Sequence, residues 1–398
     1  MNGGSLKCHR SLRWVVAYGL FGVPRSGASI AFAIAAISIT GSAAGGTTAL
    51  AAMTAAQLAG AIPVARLGRG SNSIAYFKIL IVIRTVALFC CAVACSARAP
   101  YSVFIAAAVA SGLVQGAAFG HLRNAANYLV LPTQMTRFLA FGAFATELTF
   151  LVTPILAAAL GTVSASLAIA AIAALGALPA LILPSAPTAD ARVEEAEKRR
   201  AISPDVLIWL ACACASSAAI SAIEVGAVSL AMGFGFQAGY GAVFTGTLCA
   251  ASLIGAIGNS FLNRAFSRHQ VAGMLAAILI GIALVLQNSF GLSIIGCALV
   301  GLFAPSLGIH YSLQINRLAR PEMRAETFSV LKISTSVGTI LASSMLGWTS
   351  VSLTLSAAIW LLLFCAGNDF SAGFDRRAAH VRGAHAERTR LAKAPNAR

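Results

Sequence analysis

Apolar residues run through this chain in long blocks, and polar residues punctuate them. Stretches without a single Asp, Glu, Lys or Arg cover 26–65, 99–122, 148–189, 225–263, 269–316 and 333–368. A helix needs about 20 apolar residues to cross the hydrocarbon core of a bilayer. The longer blocks, about 40 residues each, therefore hold two spans joined by a short uncharged turn. Gly and Ser mark those turns, as at 41–46 and beside Asn288-Ser289. The pattern predicts twelve helices, near 14–39, 43–65, 75–96, 101–121, 138–160, 162–183, 205–232, 238–262, 270–287, 289–314, 325–346 and 349–366. A transmembrane β-barrel would alternate apolar and polar positions in segments of about ten residues, and these blocks do not. The expected class is an all-α membrane protein of two six-helix halves, 14–183 and 205–366. A short N-terminal segment (1–13), a polar linker (184–204) and a basic tail (367–398) flank and join them.

Composition agrees. Of 398 residues 58% are hydrophobic and 10% charged, against about 25% charged in soluble domains. A soluble enzyme and a disordered chain are both excluded. Charge placement adds an orientation. Apart from Arg98, and from Arg25, Arg84 and Lys332 inside spans, every Lys and Arg falls on one side of the twelve-span layout. The positive-inside rule assigns that side, with both termini, to the cytoplasm. The net charge of +16 is then a set of contacts to anionic lipid, with no need of nucleic acid. The nine Cys form neither a CxxC pair nor a disulfide framework. No Walker loop, HExxH or GxSxG occurs. Neither metal, cofactor nor enzymatic activity is expected.

Six helices on each side of a polar linker suggest a transporter built from repeats. An echo at an offset of 185, Val152–Leu156 against Val337–Leu341, brings Glu147 onto Lys332. Charge within the spans marks the candidate site. Glu147 and Glu224 are the acids placed there, and an ionised group at the bilayer centre costs roughly 3 kcal/mol on insertion scales. Arg25, Arg84, Glu147 and Lys332 lie at similar depths, so all four are expected in one layer around a cavity. Glu147 or Glu224 would carry a coupling proton; the alternative is a charge pair that only pins helices. Pro24, Pro154 and Pro305 are expected to bend their helices. Gly112, Gly116 and Gly120 make a smooth packing stripe.

The chain resembles the major facilitator superfamily, in its bacterial drug-efflux-like branch. The residues that carry this are Ala140-Phe141 through Glu147-Leu148-Thr149-Phe150 to Pro154, Ile223-Glu224-Val225, and the run from Ala304-Pro305 to Arg317-Leu318-Ala319 and Arg324-x-Glu326-x-Phe328. The family's signature between spans 2 and 3 is matched by Gly60, Arg66, Gly68 and Arg69, but Ala65 stands where the family carries Asp. An Asp-based latch between the halves is therefore not expected. The resemblance implies a monomeric secondary transporter of the inner membrane, expelling a small organic compound in exchange for protons. Uptake of a metabolite, or a non-transporting receptor or scaffold role, stays open beside it.

Overall fold

The computed structural model describes residues 3–42, 44–184, 204–237, 240–262, 266–287 and 289–364. All but the two end residues of the expected linker, and the whole expected tail, lie outside the described residues. The helices are α1 (Gly3–Phe21), α2 (Val23–Thr40), α3 (Ala44–Leu67), α4 (Ser73–Ser96), α5 (Tyr101–Leu129), α6 (Met135–Gly161) and α7 (Ala165–Ile182) in the first half. The second half holds α8 (Pro204–Gly233), α9 (Gly241–Leu262), α10 (Arg268–Val285), α11 (Phe290–Leu318), α12 (Arg324–Trp348) and α13 (Val351–Phe364). Together α1 and α2 form one span from Arg10 to Thr40. Ten spans are long and apolar enough to cross a membrane, and α10 and α13 are shorter apolar helices. Twelve crossings are thus present among the described residues.

Local chemistry explains the breaks. Proline lacks an N–H, and Pro24 sits in the first turn of α2, where no intrahelical donor is needed. The first span is accordingly interrupted at Gly22. Pro154 and Pro305 lie inside the continuous helices α6 and α11. Gly41 and Gly70 adopt φ +75°, a left-handed backbone that glycine tolerates without a Cβ clash. Asn72 caps α4 by accepting from the Ile74 and Ala75 amides, and Ser267 with Gln270 closes a capping box at α10.

Without a hydrophobic drive inside lipid, close backbone contact holds helices together. A Cβ on Gly60 would meet the Leu113 backbone, and one on Gly112 the Met53 backbone. The α3–α5 pair is therefore fastened from both sides. The second half repeats the device, with Gly255 against Leu302 and Gly301 against Leu248 in the α9–α11 pair. The repeat has its own register. Each of α5 and α11 has 29 residues and is followed by a 3-10 turn, Pro132–Gln134 or Pro321–Met323. These elements match at a separation of 189, that of Asn127 and Asn316, and not at the expected 185. The sequence echo is one helical turn out of register because Ala, Leu and Val recur too often to fix it.

The two halves meet along α12 against α5 and α3, and along α6 against α9 and α11. Arg66, Arg69, Arg137, Arg317, Arg320 and Arg324 all lie at one end of the bundle, at helix ends and turns there. It is the basic end of the bundle.

Candidate functional site

Three charged side chains project toward one another from the middle of the bundle. Arg25 of α2 lies within electrostatic range of Glu224 of α8, so these two helices face each other across the halves. Glu147 of α6 is in range of Glu224, and the Ser252 hydroxyl of α9 is within hydrogen-bonding reach of the Glu147 carboxylate. Glu224 is exposed and Arg25 and Glu147 are half-buried, although all three sit far from the ends of their spans. Side chains that face the opposite half and still meet solvent line a cleft between the halves. No ion pair within the layer closes to salt-bridge distance among the described residues.

Below this layer, toward the basic end, lies an aromatic floor. Lys332 of α12 is in range of Arg25, and its Nζ lies 5.6 Å from the centre of the Phe119 ring on α5. Tyr18 of α1 packs between Trp14, at 4.9 Å between ring centres, and Phe119, at 6.1 Å. One turn further down, Arg123 is 3% exposed, with its guanidinium 4.9 Å from the Phe328 ring of α12. Its Nη2 is buried without a hydrogen-bond partner.

The basic end itself is shut. Arg66 Nε donates to Glu326 Oε1 at 2.8 Å, and Arg69 Nη2 donates to Glu326 Oε2. Glu326 is 3% exposed, whereas both Arg side chains are largely solvated. Beside this clasp, Asn127 and Asn316 exchange two hydrogen bonds of 2.9 Å. Gly120 lets the Ala325 carbonyl and Ser329 hydroxyl of α12 come against α5.

The structure thus separates the expected residues. Arg25, Glu147, Glu224 and Lys332 converge. Arg84, expected in the same layer, does not join them. It is 1% exposed and donates to the Phe21 carbonyl at 3.2 Å, to Gln115 Oε1 at 2.7 Å and to the Gly176 carbonyl at 2.5 Å. Its ring partner is Phe21, at 4.8 Å. Equal depth does not fix azimuth, and Arg84 turns into the first half to tie α1, α5 and α7. Gly60 packs α3 on α5. A Cβ on Gly68 would meet the Tyr76 ring and His121. The Asp missing at 65 is answered from the other half by Glu326. That residue, with Tyr18, Phe119 and Arg123, was not among the expected site residues. Glu326 and Arg123 fall at helix ends, where charge is ordinary, and only the packing of the halves buries them. The Trp14/Tyr18 pair at four-residue spacing is a local signal that could have pointed to the floor. No group of three or more His, Cys, Asp or Glu able to hold a metal ion occurs among the described residues.

Known structures share this architecture. The chain is similar to a bacterial homologue of the iron transporter ferroportin in an outward-facing state, at 16% identity and TM-score 0.73, covering 90% of this chain and 97% of that one. It is similar to the E. coli fucose:proton symporter at 14% identity and TM-score 0.69, covering 89% and 97%. A proton:xylose symporter aligns at 12% identity and TM-score 0.66, covering 91% and 95%. No curated protein sequence matches the chain. The family model of the Major Facilitator Superfamily matches residues 14–343. The match takes in the mid-bundle charges and the clasp at the basic end, and the chain belongs to the Major Facilitator Superfamily of secondary transporters.

Proposed function

We propose that this transporter expels a small organic compound in exchange for protons, rocking its two halves about the mid-bundle layer. The observation that carries the reading is Glu224, a carboxylate exposed in the cleft and facing Arg25 across the halves. Such a group meets water from one side in this conformation and from the other once the basic end opens. Alternate access to two solutions is the physical requirement for moving a proton against a substrate. Glu147, with the Ser252 hydroxyl nearby and in range of Glu224, is a second proton carrier or a partner to the first. The positive-inside rule places the basic end, and with it both termini, in the cytoplasm. The clasped state is then outward-facing, and Arg66, Arg69 and Glu326 hold it.

Purified protein in vesicles with an imposed pH gradient, challenged with a compound panel, tests the reading. We expect gradient-driven movement of at least one compound, collapse of that movement by a protonophore, and its loss in Glu224→Gln with downhill exchange retained. Movement indifferent to the gradient, or unchanged in both Glu224→Gln and Glu147→Gln, would contradict it. Similarity to two proton symporters favours a second reading, uptake with the proton, which the same vesicles separate by the direction of accumulation.

A further inference from the structure

We propose that the cleft binds an organic anion, in particular a planar aromatic carboxylate, seated on the Phe119 ring with its carboxylate at Lys332. The inference rests on the transport reading for its place in a cycle and names the substrate class of that same site.

Three cations approach the floor from three helices: Arg25 of α2, Arg123 of α5 and Lys332 of α12. The two carboxylates sit on the other wall, on α6 and α8. Glu224 faces Arg25, and Glu147 has Ser252. Lys332 has no such counterpart. Its charged neighbour is Arg25, of like sign, and its Nζ lies over the Phe119 ring. No ion pair reaches it among the described residues. Arg123, just beneath, is 3% exposed with Nη2 unpartnered, held between Phe328 and the electrostatic reach of Tyr18.

Aromatic faces attract a cation only weakly compared with a carboxylate. A buried or half-buried cation near other cations is expensive until an anion joins it. Of the three cations only Arg25 has a carboxylate facing it, and no acid pairs with Lys332 or Arg123 among the described residues. A carboxylate placed at Lys332, on the side of Arg25, would relieve the like-charge pair and gain a charge-assisted hydrogen bond. Its apolar body would then lie against Phe119 and Tyr18, whose rings stand 6.1 Å apart, in the offset geometry aromatic groups favour. A cationic drug seated on the floor would lie beside Lys332, with Arg25 in range. A neutral polyol would find rings where it needs hydrogen-bonding side chains.

Equilibrium binding to the full chain in lipid nanodiscs tests this with three matched probes: 2-naphthoate, its methyl ester and 2-naphthylmethylamine. We expect naphthoate to bind at least about tenfold more tightly than either analogue, the scale of one hydrogen bond to a charged group. Lys332→Gln should weaken naphthoate by about tenfold or more, Lys332→Arg should largely restore it, and Phe119→Ala should weaken all aromatic binding. Retained binding in Lys332→Arg shows that the site is folded. Equal binding of ester or amine, unchanged affinity in Lys332→Gln, or no binding of naphthoate would each overturn the inference. Naphthoate binding that survives while proton-driven movement fails would strike the transport reading alone.

Discussion

Arg84 shows what a single buried charge does in this protein. Its guanidinium satisfies two carbonyls and the Gln115 amide oxygen from three different helices. Replacing it by Met takes a donor from the Gln115 amide oxygen and from both carbonyls in a dry interior, at about 1–3 kcal/mol for each group left unsatisfied. Arg84→Met should therefore lower the thermal unfolding midpoint of the detergent-solubilised protein by several degrees, and Gln115→Ala should lower it less. An unchanged midpoint would deny Arg84 its structural role. The same residue marks the limit of sequence reasoning. Depth along a helix follows from residue number, at about 1.5 Å per step. The direction a side chain takes around the axis depends on which neighbour the helix finds. Arg25, Arg84, Glu147 and Lys332 were placed at one depth by counting, whereas the departure of Arg84 into its own half had no local signature. Glu326 was hidden for the opposite reason. It stands in the first turn of α12, where an acid complements the helix dipole without further explanation.

At the scale of helices, the glycine stripe of α5 serves two purposes. Gly112 and Gly116 fit α5 onto α3 within one half, while Gly120 receives α12 from the other. Spacing by four residues announces the stripe, but not the change of partner along it. The two uses make opposite expectations for the same substitution. Gly112→Val pushes a side chain into the Met53 backbone and should lower stability and yield. Gly120→Val meets Ala325 and Ser329 across the halves and should leave the fold intact while preventing the basic end from closing. Thermal unfolding together with labelling of a cysteine at the floor from the basic side separates them. Gly120→Val should raise labelling without a matching loss of stability. Twelve apolar helices were readable because lipid demands them. The break at Gly22 was announced by Pro24, whereas the one-turn shift of the repeat was not, since it depends on packing between helices of similar composition.

At the scale of the whole molecule, one end of the bundle is clasped, and Glu224 stands exposed at mid-depth. The clasp is lopsided: Glu326 is buried while its two arginines remain largely in water. Removing the acid frees two residues that hydrate easily. Removing both arginines strands a buried carboxylate, which costs about 3–5 kcal/mol when a pair is broken in this way. Glu326→Gln should thus shift the balance toward the open basic end, and the Arg66→Ala/Arg69→Ala double variant should shift it further. Either variant should change transport rate without altering which compounds are carried. The family signature made the arginines legible, and the missing Asp suggested that no latch survived. The structure supplies the acid from the opposite half, a relation between residues 66 and 326 that no local pattern encodes.

The account turns on two halves that exchange closure between the ends of the bundle. Paired spin labels measure this most directly, one pair at Ser71 and Arg320 on the basic end and another at Arg98 and Ser350 on the opposite end, all exposed positions, with native cysteines replaced. The account expects a short distance at the basic end in the parent protein. In Glu326→Gln that distance should lengthen while the opposite pair shortens. Two distances that stay fixed in the variant, or that lengthen together, would contradict a rocking mechanism held by this clasp.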